Sequence, residues 1–494
     1  MKVRNKPSTK SLPGVTRSLW GMLLVTLATL AVLALWLVEP LVVQNLRLAQ
    51  FDQFQRWHPR PYTPVAVRVV DIDEASLKSL GQWPWPRTRI AELIDRLHEA
   101  GVLAIAFDVL LTEPDRTAPA AMAQQWNNPQ VSALLSGLPD PDTSLAQHLT
   151  DRPVVLGSSL LRTTQASAMP PIASAPAALP FRVVRSGPAD ASSIVQGFDD
   201  VLWPLPGLLA QAQGVGALNA APDGDGVVRR APLFLRVGKE LVPSLSAEAL
   251  RVAQGARNYL VRSEATGIQD VRIGNYTVPT NTQGEVWLHY TQEQPQRLVP
   301  AHAVIHRQVA LDQLQGHIVL VGSSAAGLMD VRANPMGYTM PGVLAHAQAL
   351  EQMLLEQYLQ RPPWAAALEL VVLALGCLGL GAVALTASAR RGAMALLALL
   401  ALLGAGVWYA FVVRGWLLDA SNPAVAMVLV FGLASGFHHW STERQQRWLR
   451  TAFSRYVSPN RVAQLVAHPD QLHLGGERQV CSLVFTDLQA FTTM

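Results

Sequence analysis

Leu19–Val38 limits this chain more than any other stretch, because it runs for twenty residues without a charge. At a rise of about 1.5 Å per residue, a helix of that length crosses a bilayer. Glu39-Pro40 ends the run, and residues 1–18 before it form a basic arm with Lys2, Arg4, Lys6, Lys10 and Arg17 and no acid. A cleaved signal peptide would also begin with a basic arm and an apolar core. The span is longer than a usual signal core and shows no convincing small-residue cleavage site. An uncleaved helix with a cytoplasmic N-terminus is therefore expected.

Three more apolar spans come late in the chain. Residues 364–387 contain one acid, Glu369; residues 393–413 are uncharged; residues 417–437 carry Asp419 near the start and Pro423 within. Four spans put both termini on one side. The basic arm, Arg390-Arg391 and the cluster Arg444, Arg447, Arg450 then share the cytoplasm, as the positive-inside bias requires. The expectation is a multi-pass protein of the cell's inner (plasma) membrane with residues 41–360 extracytoplasmic, in the periplasm, and both termini cytoplasmic. Glu369 reads either as an interfacial group or as a functional intramembrane carboxylate.

Composition agrees. The 494 residues are 50% hydrophobic and only 15% charged, as in a membrane protein with a sizeable globular part. The net charge of +4 matches the positive membrane flanks and is no argument for a nucleic-acid partner. Cys377 and Cys481 are expected in different compartments, so no disulfide is expected. No Walker A, HExxH or paired CxxC motif occurs, and Asp223-Gly-Asp-Gly lacks the further acids of a calcium loop and reads as a turn.

Between the first two spans lie about 320 residues of ordinary globular sequence. Residues 65–72, 102–110, 153–157 and 317–322 read as buried strands, and 87–100 as an amphipathic helix stopped by Gly101. Strands alternating with helices predict an α/β domain with a largely parallel sheet covered on both faces. Residues 111–143 and 163–180 are rich in Pro, Ala and Ser and read as long surface excursions. Asp71, Asp73, Asp108, Ser158, Ser159, Ser323 and Ser324 stand at or just after strand ends, where open α/β sheets bind ligands. They could hold a polar ligand or a cation, or they could serve as helix caps and turn formers. Trp83-Pro84-Trp85-Pro86 is either a stacking surface or a rigid loop packed over the helix that follows.

The run VVDIDEASLKSLGQWPWPRTRIAELIDRLHEAGVLAIAFDVLLTEPDR resembles the front of the CHASE type two sensor domain. GVGALNAAPDGDGVVRRAPL and GHIVLVGSSAAGLMD continue the resemblance, which covers nearly all of 41–360. It implies an extracytoplasmic sensor coupled to an output such as a cyclase or a kinase, with a ligand it does not identify.

Residues 438–473 link membrane to output. The mix of apolar and basic residues from Arg444 to Arg461 predicts a helix that either lies on the bilayer or pairs in a homodimer. Residues 474–494, LGGERQVCSLVFTDLQAFTTM, then offer a strand-like apolar run over 480–485 followed by Asp487. On pattern alone Asp487 is a turn-capping residue or a Mg²⁺ ligand. The order LGGE, strand, Asp, Phe-Thr resembles the start of a class III nucleotide cyclase domain, an α+β fold, and the resemblance implies its first strand. It also implies that Asp487 binds two Mg²⁺ (or Mn²⁺) ions and that Leu488 assists through its carbonyl, with a nucleoside triphosphate as substrate. Leu488, Gln489 and Ala490 depart from the family's usual Ile, Arg and Gly. The family's other catalytic residues would follow Met494, so these 494 residues alone are expected to be inactive.

The reading is a transmembrane receptor that controls cyclic nucleotide synthesis, ATP to cyclic AMP and pyrophosphate, with adenylate preferred to guanylate cyclase. A non-enzymatic membrane binding module and a receptor with a kinase output are the alternatives. Topology is open to direct test: reporter fusions at position 250 should be active outside the membrane, and those at 391 and 470 inside. A cytoplasmic report from position 250 would refute the arrangement.

Overall fold

Seven short segments rich in Val, Ile, Leu and Ala pair into one sheet, and their sequence pattern explains how it is covered. They are Val67–Ile72 (β1), Ala104–Leu110 (β2), Val154–Leu161 (β3), Asp200–Leu202 (β4), Gly214–Ala217 (β5), Leu298–Pro300 (β6) and Ile318–Ser323 (β7). The order is β6-β1-β7-β2-β3, all parallel; β3 then pairs with β5 in parallel and with β4 in antiparallel sense. This computed structural model describes residues 13–126, 128–162, 180–188, 190–328, 330–453, 480 and 482–484.

Side chains alternate across a strand, so each strand feeds two cores. Val67, Val69, Ala104, Ala106, Ile318 and Leu320 pack on one face against the helices Leu245–Ala253 and Gly342–Leu355. Val70, Ile72, Ile105, Phe107, Val319 and Val321 pack on the other against Arg87–Glu99 and its neighbours. In that last helix Ile90, Leu93, Ile94 and Leu97 recur at helical spacing and are all buried. Each such aliphatic residue contributes about 1.5–3 kcal/mol when removed from water. Trp85 of the Trp-Pro pair is buried in the same core and its indole N–H donates to the Gly81 carbonyl at 2.8 Å. It anchors the loop.

The four strands predicted between residues 65 and 322 and the α/β class of that part hold, but two expectations about the globular part need correction. Residues 111–143 are not a bare excursion. They contain helices Pro119–Trp126 and Pro129–Leu135, and Pro141–Leu149 begins there. Each starts on a proline, which suits the first helical position because its missing N–H has no partner to lose. Asp115 and Asp142 tie this stretch to Arg87, accepting from its backbone N–H at 2.7 Å and its Nε at 2.8 Å. Residues 258–279, which carry no strand prediction, form an antiparallel meander joined by Arg182–Ser186. Most of the second proline-rich stretch lies outside the described residues.

Among the described residues four helices are long and apolar enough to cross a membrane. We label the helices that matter below α1 (Pro13–Val38), α2 (Leu41–Trp57), α3 (Glu74–Leu80), α4 (Arg87–Glu99), α5 (Leu245–Ala253), α6 (Gly342–Leu355), α7 (Ala365–Thr386), α8 (Ala389–Arg414) and α9 (Ser421–Phe453). Two compact units divide the chain: Met1–Ala34, Ala374–Ala398 and Ala426–Met494 form one, Leu35–Leu373 and Leu399–Val425 the other. Within the first, Gly381 of α7 meets Val25 of α1 and Gly376 meets Met427 of α9. Small residues at such crossings let helix backbones approach closely, which drives association in lipid.

The fourth span begins at Ser421, not at 417. The Asp419 carboxylate accepts from Ser421 Oγ at 2.7 Å and Asn422 N at 3.2 Å and so caps α9. Glu369 is satisfied as well: Arg361 donates to both its oxygens at 2.9 and 2.8 Å, and Asp419 N at 2.8 Å. Past the membrane-length stretch α9 continues unbroken to Phe453, so the predicted linker helix is at first an extension of the fourth span. The rest of the linker, to 473, lies outside the described residues. Val480 and Ser482–Val484 are described, without strand pairing and with Val480, Leu483 and Val484 exposed. The buried strand expected there is absent among them, because an apolar run forms a strand only against partner strands.

One packing contact tests the sheet geometry. A Cβ added at Gly322 of β7 would lie 2.6 Å from Val343 Cβ on α6. That carbon is fixed to the helix backbone and both valine methyls flank it, at 2.7 and 2.9 Å, so no rotamer clears the contact. Gly322→Ala should cost about 1–3 kcal/mol in unfolding experiments on the purified protein. Gly327→Ala, where the added group meets nothing within 4 Å, should change stability by less than about 0.5 kcal/mol. Adding Val343→Ala to the first variant should recover part of the loss.

Candidate ligand cleft

The same alternation that divides the cores places Asp71. Val67 and Val69 face α6, so Asp71 does too; in β2, Ala104 and Ala106 bring Asp108 to the same face. Asp71 pairs in register with Gly322, and Val321 with Phe107. Asp71, Gly322 and Asp108 therefore form a row across three adjacent strands, the two acids about 10 Å apart at ordinary strand spacing. Val343 sits on Gly322 between them. The two carboxylates share a face of the sheet but not a crevice.

The predicted residues separate accordingly. Asp71 accepts from Ser324 N at 2.9 Å and Ser324 Oγ at 2.6 Å. Ser323 Oγ donates to the Ile72 carbonyl at 3.0 Å and holds the two strand ends together. Asp73 is occupied as the cap of α3, accepting from Ser76 N at 2.7 Å, with His302 Nδ1 at 3.9 Å. Ser158 is fully buried and donates to the Gly216 carbonyl at 3.2 Å; Ser159 pairs with Leu202. Both belong to β3, three strands along the sheet from β1. Asp487 and Leu488 lie outside the described residues, among which no group of His, Cys, Asp or Glu could hold a metal ion.

Asp71 and Ser324 open onto a cleft of about 260 Å³. Thr291, Glu293, Gln294, Arg297, Tyr338 and Gln348 supply its other polar groups, and Leu298, Met340, Pro341, Val343 and Leu344 are among its apolar walls. Burial raises the Asp71 carboxyl above its usual range; the Ser324 hydrogen bonds oppose that and Asp73 adds to it. Burial, and then the Glu293 carboxylate, push the Tyr338 phenol up, while Arg297 opposes them.

Beneath the cleft is a network with no local sequence signal. Glu351 of α6 accepts from Arg297 Nε at 2.6 Å and from Arg60 Nη2 at 2.8 Å, and all three side chains are buried. Burial, opposed by Glu351 and reinforced by Arg297, lowers the Arg60 guanidinium below its usual range. Gln348 accepts from Arg60 at 3.0 Å and donates to Thr291 Oγ1 at 2.9 Å. The neighbouring backbone is gripped from both sides: Gln352 of α6 donates to the Trp287 carbonyl at 2.7 Å, Arg60 Nε to the His289 carbonyl at 3.0 Å, and Gln55 of α2 accepts from Tyr290 N at 3.1 Å. Segment 287–291 thus lies between α2 and α6, and the chain continues from it into the cleft wall at Glu293 and Arg297. Its His289 is half-buried, and desolvation lowers the imidazole to about 4. These partners are up to about 290 positions apart in sequence, so only the buried Arg and Glu residues themselves could have hinted at pairing.

Asp108 lies on the other side of Val343, near Asp330 and Arg332. Burial, and then Asp330, push its carboxyl up to about 7, while Arg332 opposes them. The native state then holds a proton that the unfolded chain releases near pH 4. Stability from this group is present below about pH 4 and is lost as pH rises towards 7. Asp108→Asn should flatten that part of the stability–pH profile and stabilise the protein at pH 8 by on the order of 2 kcal/mol, a value discounted for the partial exposure of the residue. Thermal melts at pH 4, 6 and 8 check it.

The CHASE2 domain family matches residues 26–385, well over half of the chain. No curated protein and no solved structure matches it. The match starts within the first membrane-length helix, takes in the whole parallel sheet and the cleft, and ends within α7. The chain therefore belongs to the CHASE2 domain family, as a multi-pass membrane protein built around a sensor of signal transduction.

Proposed function

We propose that this protein is a transmembrane receptor whose extracytoplasmic cleft, beside Asp71 and Ser324, receives a ligand, and whose cytoplasmic end controls cyclic nucleotide synthesis. The observation that carries the sensing half is the grip on segment 287–291. Its side-chain partners come from α2, which directly follows the first membrane-length helix, and from α6, which precedes the second. The cleft wall is the continuation of that segment. A ligand that shifts 291–298 would load both helices at once, and an effect on output requires only that it bind two arrangements unequally.

The output half rests on the resemblance of 474–494 to a class III cyclase. Asp487 and Leu488 are the residues proposed to hold Mg²⁺ or Mn²⁺, and the chemistry such ions supply is charge stabilisation during attack of a ribose hydroxyl on the α-phosphate. A homodimer in the inner membrane, with the cleft in the periplasm and both termini in the cytoplasm, completes the proposal.

The decisive assay measures cyclic AMP and cyclic GMP in membranes carrying the full-length gene product. Asp487→Ala should reduce formation by on the order of 100-fold or more while membrane insertion is unchanged. Wild-type levels in the variant would refute the role of Asp487. No cyclic nucleotide from the wild type would favour a different output or a binding module.

A further inference from the structure

We propose that the cleft beside β1 recognises the ammonium group of a small organic molecule, with Asp71 as its principal counter-charge and Glu293 as a second. This rests on the reading of the cleft as the sensor's ligand site. Asp71 is only 6% exposed, lines the cleft, and pairs with no cation among the described residues. Ser324 gives it two neutral donors, which satisfy hydrogen bonding but not charge. A buried carboxylate without a counter-ion is costly, and that cost is relieved when a cation arrives. Glu293 also lines the cleft, is exposed, and likewise lacks a cationic partner among the described residues.

The cleft's own cation is committed elsewhere. Arg297 binds Glu351 through Nε and Nη2, donates to Thr291 Oγ1 at 2.8 Å, and lies over the Tyr62 ring at 5.4 Å. It is absent from the charges that shift Asp71. A divalent metal fits poorly, since it asks for six or more oxygen ligands and the site offers two separated carboxylates. An ammonium fits: it needs few acceptors, its carbon body can rest on Met340, Pro341 and Leu344, and Tyr338 adds an aromatic ring to the lining. Arg60 and Arg297 share one carboxylate, so a residual positive charge lies deeper in the network. That charge would tolerate an anionic group on the same ligand, so free amines and amino acids are the two sources of the ammonium.

Calorimetry on the full chain in nanodiscs tests this with a matched panel: an aliphatic amine, the amino acid carrying the same side chain, the corresponding alcohol, the corresponding carboxylic acid, and Ca²⁺. The amine, the amino acid or both should bind, and which of them does identifies the source; the alcohol, the acid and Ca²⁺ should not. Asp71→Asn, which can still accept from Ser324 N–H, should weaken binding about 10-fold or more, and the exposed Glu293→Gln about 3-fold. Absence of ammonium binding up to about 10 mM, or unchanged affinity in both variants, overturns the proposal. Binding of the alcohol or the acid that is abolished by the cleft-filling Leu344→Trp would overturn the ammonium class and leave the cleft standing as the ligand site.

Discussion

Glu351 is the single carboxylate on which the sensing half of this molecule depends. Two arginines from distant parts of the chain, Arg60 and Arg297, meet at it, and all three side chains are out of contact with water. Taking each ion out of water costs several kcal/mol, which is recovered only when geometry and hydrogen bonds are good, and removing one partner leaves the others stranded. Here Thr291 and Gln348 complete the bonding, while one Arg60 nitrogen is left without a partner. Such a cluster is weak evidence for stability but strong evidence for position. It fixes the end of α2, the middle of α6 and the start of β6 relative to one another, and these elements bound the cleft.

A second constraint comes from the sheet itself. Parallel strands covered on both faces leave little room for acidic side chains, and Asp71 and Asp108 stand near the carboxyl ends of their strands. Asp71 and Asp108 occupy equivalent places in β1 and β2, yet they have different surroundings because α6 begins between them. Gly322 permits that close approach. The result is one acid at a cleft beside Ser324 and another held near Asp330 and Arg332, whose charge responds to pH.

Where the apolar spans meet the rest of the chain, charges are again resolved in pairs. Arg361 binds Glu369, Arg47 binds Glu39 and reaches Asp419, and Asp419 caps α9. Acids within or beside apolar spans are expensive unless partnered. The arrangement accounts for Glu369 and Asp419 as structural groups that define where helices begin.

Much of this was legible in the sequence, for a physical reason: periodicity and length are local. Long apolar runs marked the four membrane-length helices, alternation marked β1, β2 and β7, and the spacing of Ile90, Leu93, Ile94 and Leu97 marked α4. The clustering of polar residues at strand ends also pointed to the end of the sheet where the cleft lies. What lay beyond reach depended on which residues meet in space. Asp73 could have joined Asp71 or capped α3, and only the helix that follows it decided. Pro119, Pro129 and Pro141 could break the chain or start helices, and for Pro141 the packing on Arg87 and the α4 core decided. Arg297, Glu293, Tyr338 and Gln348 carry no motif; they became a cleft because α6 crosses the sheet at Gly322 and because a buried glutamate draws Arg60 and Arg297 to one point. The sequence by itself determined the elements and their faces, through backbone geometry and hydrophobic pattern. The tertiary structure alone decided which charges are partnered and which remain open, because electrostatic pairing depends on distance in space and on burial, neither of which is written in the order of residues.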